Sequence, residues 1–113
     1  MPKGYFVRRL SEIKGVPCPC GTSYRPITRE DTPVLNLHVT EITDSQRHYH
    51  KGCTEIYYIL EGSGVLEVGD DRVDLTPGTV ILIEPGTAHR GYGDFKALIV
   101  GVPAMKADDE HII

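Results

Sequence analysis

The sequence is short of several features that define common functional classes. It has no tryptophan, no block of basic residues, and no stretch near the roughly 18 consecutive apolar residues that a membrane span needs. Its 12 Lys and Arg residues against 16 Asp and Glu residues give a formal net charge of −4. A mildly acidic chain of this kind is a poor partner for nucleic acid or an anionic membrane, so we expect it to bind neither.

Cysteine is also scarce. Cys18, Cys20 and Cys53 are an odd number at irregular spacing, unlike the framework of a secreted disulfide-rich domain. The N-terminus carries positive charge without an apolar run behind it, so it does not resemble a signal peptide. We therefore expect a reduced, cytoplasmic protein. Cys18 and Cys20 lack the partners of a zinc site and are poorly placed to bond each other, so we expect them in a kinked packing segment.

Helical periodicity is missing as well. No stretch repeats apolar residues every 3.6 positions over three turns. Short runs rich in Val, Ile, Leu, Thr and Tyr alternate instead with turn residues, and each run reads as a strand. The runs are VLNLHVTEI, EIYYIL, GVLEV, RVDL, TVILI and KALIVGV. This pattern predicts an all-β antiparallel sandwich or barrel.

The length of 113 residues suits one domain with one core. The proline-rich segment 1–33 is expected to be extended or looped and to pack on the barrel. We place the barrel at 34–105. The charged segment 106–113 is expected to be a loose tail or an extension of a sheet edge.

Two segments carry the residues with the clearest chemistry. His48 and His50 lie two apart, so a strand would point both to one face. Glu55 would fall on the opposite face of an unbroken strand, which predicts a turn through residues 51–54 that restores it to the same side. His89 follows a Pro-Gly turn. Three imidazoles and one carboxylate suit one divalent transition metal: Fe, Ni, Mn, Zn or Cu.

These segments resemble the two sequence motifs of the cupin superfamily, in its small single-domain form with a conserved barrel of the cupin 2 type. The resemblance covers roughly Val34 to Val102. The matching positions are His48, His50, Glu55 and Gly62 in the first motif, and Gly78, Pro85, Gly86 and His89 in the second. The resemblance implies a single-domain antiparallel jelly-roll β-barrel and a metal held by the three histidines and Glu55.

Three positions depart from the usual motifs. Ile42 and Glu84 stand where the family usually has a Gly and a Pro, and Gly93 stands where it often has an Asn. None of the three is a ligand position in the family, so the departures concern the turns and leave the metal site intact.

Other residues near the motifs could also contribute to a site. Tyr57 shares the face of Glu55 by strand parity and is our candidate catalytic residue, as a hydrogen-bond donor or acid. Cys53 is expected to be a small turn residue facing away from the site, although an extra ligand is an alternative. His38 would line the cavity with Asn36 and Thr40 if that face points inward, but the apolar alternate positions favour the exterior for His38.

We assign no role in the site to the remaining residues near the motifs. Arg47 and Tyr92 are expected at packing or surface positions, and Arg90 should face away from His89, which it follows. An arginine at the mouth of the cavity could alternatively clamp a substrate carboxylate or phosphate. His111 is expected to be solvated in the tail.

The family resemblance leaves several functions open. One is a metal-dependent enzyme acting on a small polar metabolite, either dioxygenase-like or sugar-isomerase-like. The other is a non-catalytic module for metal-assisted binding or sensing of a small ligand; a storage-type barrel fits the intact ligand set least. Exposed sheet faces and edges of small jelly rolls predict a homodimer.

Overall fold

The computed structural model describes residues 3–113, which form antiparallel β-strands and one 3-10 turn, Leu10–Glu12. The strands are β1 Val16–Cys18, β2 Gly21–Ile27, β3 Asn36–Asp44, β4 His48–Tyr49, β5 Thr54–Val68, β6 Asp71–Leu75, β7 Val80–Ile83, β8 His89–Val102 and β9 His111–Ile112. The all-β prediction is confirmed. Within residues 3–113, no helix is long and apolar enough to cross a membrane.

Two long strands organise the sheet. The order is β1-β2-β3-β8-β4-β9, and β5 pairs with β8 on one side and with β6 and β7 on the other. The register between β5 and β8 runs from Glu55 opposite Gly101 to Val68 opposite His89. Both strands therefore extend along the whole curled sheet.

The sequence pattern predicts strand ends within β5 and β8, but both strands are continuous in the structure. The predicted strands EIYYIL and GVLEV are one strand, with a register shift between Ile59 and Glu61. The GYGD segment is likewise part of β8 and not a turn. Gly62 and Gly93 have φ of 88° and 127°, so these glycines let the strands bend without ending.

The apolar core fills the interior on the inward faces of β3, β5, β6, β7 and β8. Its buried members are Ile42, Tyr57, Ile59, Leu66, Leu75, Ile83, Phe95, Ala97 and Ile99. Alternate residues of β5 and β8 enter this set because successive side chains of a strand point to opposite faces.

The N-terminal third is more regular than a loop packed on the barrel. Strands β1 and β2 form a hairpin that pairs with β3 and widens the sheet. Pro17 lies in β1 at the sheet edge, and Pro26 lies where the β2–β3 register shifts. At a sheet edge or a register shift, a proline can lack its backbone N–H without removing a hydrogen bond between strands. The prolines therefore do not prevent strand pairing. Arg8 ties the preceding segment down through a 2.7 Å ion pair with Asp31.

The expectation for Cys18 and Cys20 was wrong. The turn between β1 and β2 brings their Cα atoms to 5.2 Å, and their sulfur atoms are bonded. The tight hairpin supplies the close approach that the short sequence separation does not suggest. Cytoplasmic localisation rested partly on unpaired cysteines and stays a prediction.

The C-terminal tail forms an edge of the sheet. Strand β9 pairs with β4, with His48 opposite Ile112 and Tyr49 opposite His111. His111 is not simply solvated as predicted, because its ring stacks on Tyr49 with centroids 5.0 Å apart. The tail therefore lies directly beside the strand that carries two candidate metal ligands.

Candidate metal centre

The four motif residues meet in one buried cluster. One donor atom from each of His48, His50, Glu55 and His89 lies within 4.8 Å of the others. All four are 8% exposed or less. The bend that follows His50 ends where β5 begins, so the predicted turn is present and returns Glu55 to the side of the histidines.

The carboxylate of Glu55 lies between two imidazoles. One of its oxygens is 3.2 Å from Nε2 of His50 and 3.0 Å from Nε2 of His89. Burial raises the pKa of Glu55, but without a metal the hydrogen bonds and charge from the rings of His50 and His89, donated through Nε2, outweigh burial and lower the pKa to about 2. Burial lowers the pKa of His50, and the neighbouring carboxylate more than reverses this. Burial lowers the pKa of His48.

A backbone carbonyl orients each imidazole. Nδ1 of His48 lies 2.7 Å from the carbonyl oxygen of Gln46, and Nδ1 of His89 lies 3.0 Å from that of Thr87. Nδ1 of His50 lies 2.8 Å from the carbonyl oxygen of Asp109. A carbonyl only accepts, so each Nδ1 must carry the proton, and the neutral ring then presents an Nε2 lone pair.

Three Nε2 lone pairs and the carboxylate of Glu55 are all electron-pair donors, so a cation placed among them would satisfy all four groups. Among the described residues, Glu55 Oε1 and His89 Nε2 are buried without a hydrogen-bond partner of acceptable geometry. Leaving such atoms unsatisfied costs about 1–3 kcal/mol each. The donor types, the tautomers and these orphaned atoms all fit a divalent transition metal.

A cavity of about 270 Å³ opens onto the cluster. The sheet brings His38, Ile99 and Tyr57 into one row across β3, β8 and β5. The lining includes Ser23, Arg25, His38, Thr40, Ile42, Tyr57, Ile99 and Glu110. The exterior position favoured for His38 was therefore wrong, because β3 points the face of Asn36, His38 and Thr40 inward.

A profile of the cupin domain matches residues 36–100, more than half of the chain. This chain belongs to the cupin family. The match contains all four cluster residues, and the predicted resemblance is confirmed.

Two uncharacterized proteins are similar in sequence to this cupin. An uncharacterized protein of Methanocaldococcus jannaschii is 33% identical over 70 residues, which cover 58% of this chain and 56% of that protein, so the match spans little more than half of the relative's length. An uncharacterized protein of Streptomyces coelicolor is 25% identical over 100 residues, covering 84% and 93% of the two chains.

Solved structures show the same fold. A protein from Planctomyces limnophilus is 30% identical with a TM-score of 0.89, covering 96% of both chains. Pac13, described as a nucleoside dehydratase and solved from Streptomyces, is 15% identical with a TM-score of 0.84, covering 96% of this cupin and 91% of Pac13. Ectoine synthase from P. lautus is 19% identical with a TM-score of 0.81, covering 96% and 90%. The predicted jelly-roll barrel is thereby confirmed.

The C-terminal tail is the functional element that the sequence did not reveal. Besides its carbonyl bond to His50, Asp109 accepts hydrogen bonds through its carboxylate from the backbone amides of Lys51 and Gly52, at 2.9 and 2.8 Å. Glu110 lies 3.8 Å from Nε2 of His48. No motif links residue 109 to residue 50, because the contact spans 59 positions.

The remaining candidates lie away from the cluster. Cys53 is 2% exposed and is absent from the cavity lining, and burial raises its pKa to about 11. Arg90 reaches outward to Asp44, at 2.9 Å, as predicted. Arg47 donates to the carbonyl oxygen of Gly69, and the Tyr92 hydroxyl accepts from an arginine on β6.

Proposed function

We propose that this cupin is a metal-dependent enzyme acting on a small polar metabolite, with one divalent metal held by His48, His50, Glu55 and His89. The observation that carries the proposal is the set of three Nδ1–carbonyl bonds, which leaves three Nε2 lone pairs directed at one buried carboxylate. When bound, the metal would act as a Lewis acid on a substrate oxygen.

We propose isomerase-type chemistry before oxygenase chemistry because two polar cavity residues, Tyr57 and His38, can hold a substrate through hydrogen bonds beside the metal cluster. Burial raises the pKa of Tyr57 well above its ordinary value, so its phenol stays protonated and can donate a hydrogen bond to a substrate oxygen. Burial, followed by the charge of Arg25, lowers the pKa of His38 to about 4, so its imidazole is neutral at pH 7 and can both donate hydrogen bonds to a substrate and accept them. The two lie two strands apart on either side of Ile99, about 10 Å by strand spacing, and both line the cavity in which a small substrate would bind.

Solvent exchange tests this assignment. The metal-loaded protein would be incubated without oxygen in D2O with a panel of aldoses, ketoses and keto acids, and deuterium entry next to the carbonyl followed by NMR. We expect exchange with at least one compound and about a hundredfold slower exchange in Tyr57→Phe. Tyr58→Phe is the matched control, because Tyr58 lies on the outer face, 43% exposed, and should not change the rate.

Other outcomes would favour the remaining functions. Oxygen consumption without anaerobic exchange would contradict the isomerase-type proposal in favour of a dioxygenase. Ligand-dependent thermal stabilisation without turnover would indicate a binding or sensing module.

We also propose that the protein is a homodimer formed through its outer sheet face. Tyr58 on β5 lies opposite Val80 on β7 in the register, and Ile56 lies opposite Leu82. Val80 and Leu82 are each 59% exposed. A contiguous apolar face of this kind marks an association site. Light scattering should give twice the chain mass for the wild type and the chain mass for Leu82→Lys.

A further inference from the structure

Arg25, an exposed arginine that lines the cavity, has no carboxylate partner among residues 3–113. Arg25 lies on β2 and lines the cavity. The arginine and lysine ion pairs among residues 3–113 involve Arg8, Arg90 and Lys96, and they leave Arg25 without a carboxylate. Its only side-chain hydrogen bond within that range is from Nε to Ser23 Oγ, at 3.2 Å. The terminal nitrogens of the guanidinium are therefore free to bind a ligand.

Ser23 supplies a second free donor beside the guanidinium. Its Oγ accepts from Arg25 and also from Thr40 Oγ1, at 3.3 Å. With both lone pairs engaged, the Ser23 hydroxyl proton must point elsewhere. Ser23 is 3% exposed and lines the cavity, and its proton has no acceptor among the described residues.

The charges of the cavity favour an anionic ligand. Its charged lining residues are Arg25, Glu55 and Glu110. A divalent metal at the cluster would offset the two carboxylates, and the guanidinium charge would remain uncompensated. One monoanionic group on the ligand would neutralise it. The apolar wall of Ile42 and Ile99 is suited to the carbon skeleton between that group and the end of the ligand nearest the four cluster residues, which would hold the metal.

We propose that Arg25 and Ser23 form a carboxylate-binding subsite, so that the substrate is a small hydroxy or keto acid whose carboxylate binds on the β2–β3 wall. The assignment of the substrate class and the charge balance of the cavity rest on the proposed metal-dependent function, whereas Arg25 and Ser23 form no hydrogen bond or ion pair with the four cluster side chains among the described residues. Arg25 is thereby a specificity-determining residue.

Calorimetry on the Zn²⁺-loaded protein tests the subsite. The probes are glycolate, lactate, malate and 2-oxoglutarate, with glycerol as a neutral compound and inorganic phosphate as a second anion. We expect at least one carboxylate to bind the wild type and to bind Arg25→Gln about tenfold or more weakly, because charge-assisted hydrogen bonds are lost. Arg25→Lys should lose part of the affinity, since an ammonium cannot bind a carboxylate bidentately. Arg72→Gln, a substitution on β6 outside the cavity, should bind as the wild type does.

Three results would overturn the proposal: no carboxylate binds the wild type, the carboxylates bind Arg25→Gln equally well, or phosphate binds more tightly than every carboxylate in an Arg25-dependent way. Zn²⁺ affinity, titrated separately, should be equal in the wild type and Arg25→Gln. Loss of zinc binding in the wild type itself would refute the proposed function and not the subsite, which the same probes can then test on the metal-free chain.

Discussion

The barrel contains two regions that are almost equally buried and have opposite chemistry, the apolar core and the polar metal cluster. Ile59, Leu66 and Leu75 are at most 1% exposed in the apolar core. The metal cluster reaches nearly the same burial, with His89 at 1% and Glu55 at 3%. Burial lowers the free energy of the first group, by about 25 cal/mol per Å² of apolar surface, and raises that of the second unless each polar atom finds a partner.

The two regions therefore depend on the sequence in different ways. The core needs side chains of suitable volume on alternating strand positions. The cluster needs a specific acceptor for each ring: Gln46 and Thr87 supply carbonyls two residues before His48 and His89, and Asp109 supplies one from the far end of the chain. The cluster is thus sensitive to changes in a tail that the core does not touch.

The largest effect should come from the core. Leu66→Ala removes a fully buried side chain, and we expect a loss of about 3–5 kcal/mol in the free energy of unfolding. Urea denaturation with and without added zinc measures it. If the apolar core and the metal cluster are independent, the loss in the free energy of unfolding should be the same with and without zinc. A loss that appears only with zinc would show that the two regions are coupled.

A smaller effect should follow from loosening the cluster at the tail. Asp109→Ala removes the carboxylate that accepts hydrogen bonds from the backbone amides of Lys51 and Gly52. Without these bonds the backbone at residue 109 is held less firmly, and its carbonyl orients His50. We expect zinc affinity to fall about tenfold, in the range typical of residues that orient metal ligands. Competition with a chromophoric chelator measures it. Asp108→Ala is the control, because exposed Asp108 makes neither amide contact; equal affinities in the two variants would refute the role of Asp109.

The smallest effect concerns the ion pair between Arg8 and Asp31, which belong neither to the apolar core nor to the cavity lining. Hydrogen bonding from Arg8 lowers the pKa of Asp31 to about 2, below its value of about 3.9 in an unfolded chain. The ion pair therefore stabilises the fold above about pH 4, and this contribution is lost as the pH falls through about 2. Thermal melts of the wild type and Asp31→Asn should differ slightly at pH 7 and converge near pH 2. A difference that persists at low pH would show that the charge of Asp31 is not its source.

The sequence predicts what depends on local pattern. Strand alternation identifies the all-β class, and the conflict of parity between His50 and Glu55 predicts the turn between them, which the structure contains. It does not predict contacts between distant segments. The Asp109–His50 bond, the hairpin that joins Cys18 to Cys20, and the inward face of His38 all depend on which strands become neighbours. Strand breaks were overpredicted at Gly62 and Gly93 because a glycine that bends a strand resembles one that ends it.

Metal content shows whether the four buried residues bind a metal. The purified protein, reconstituted with zinc and desalted, would be measured by mass spectrometry of the elements beside His48→Ala plus His50→Ala, with His38→Gln as a control that removes a cavity histidine outside the cluster. We expect about one metal ion per chain in the wild type and in His38→Gln, and almost none in the double variant. Equal metal content in the wild type and the double variant would contradict the account.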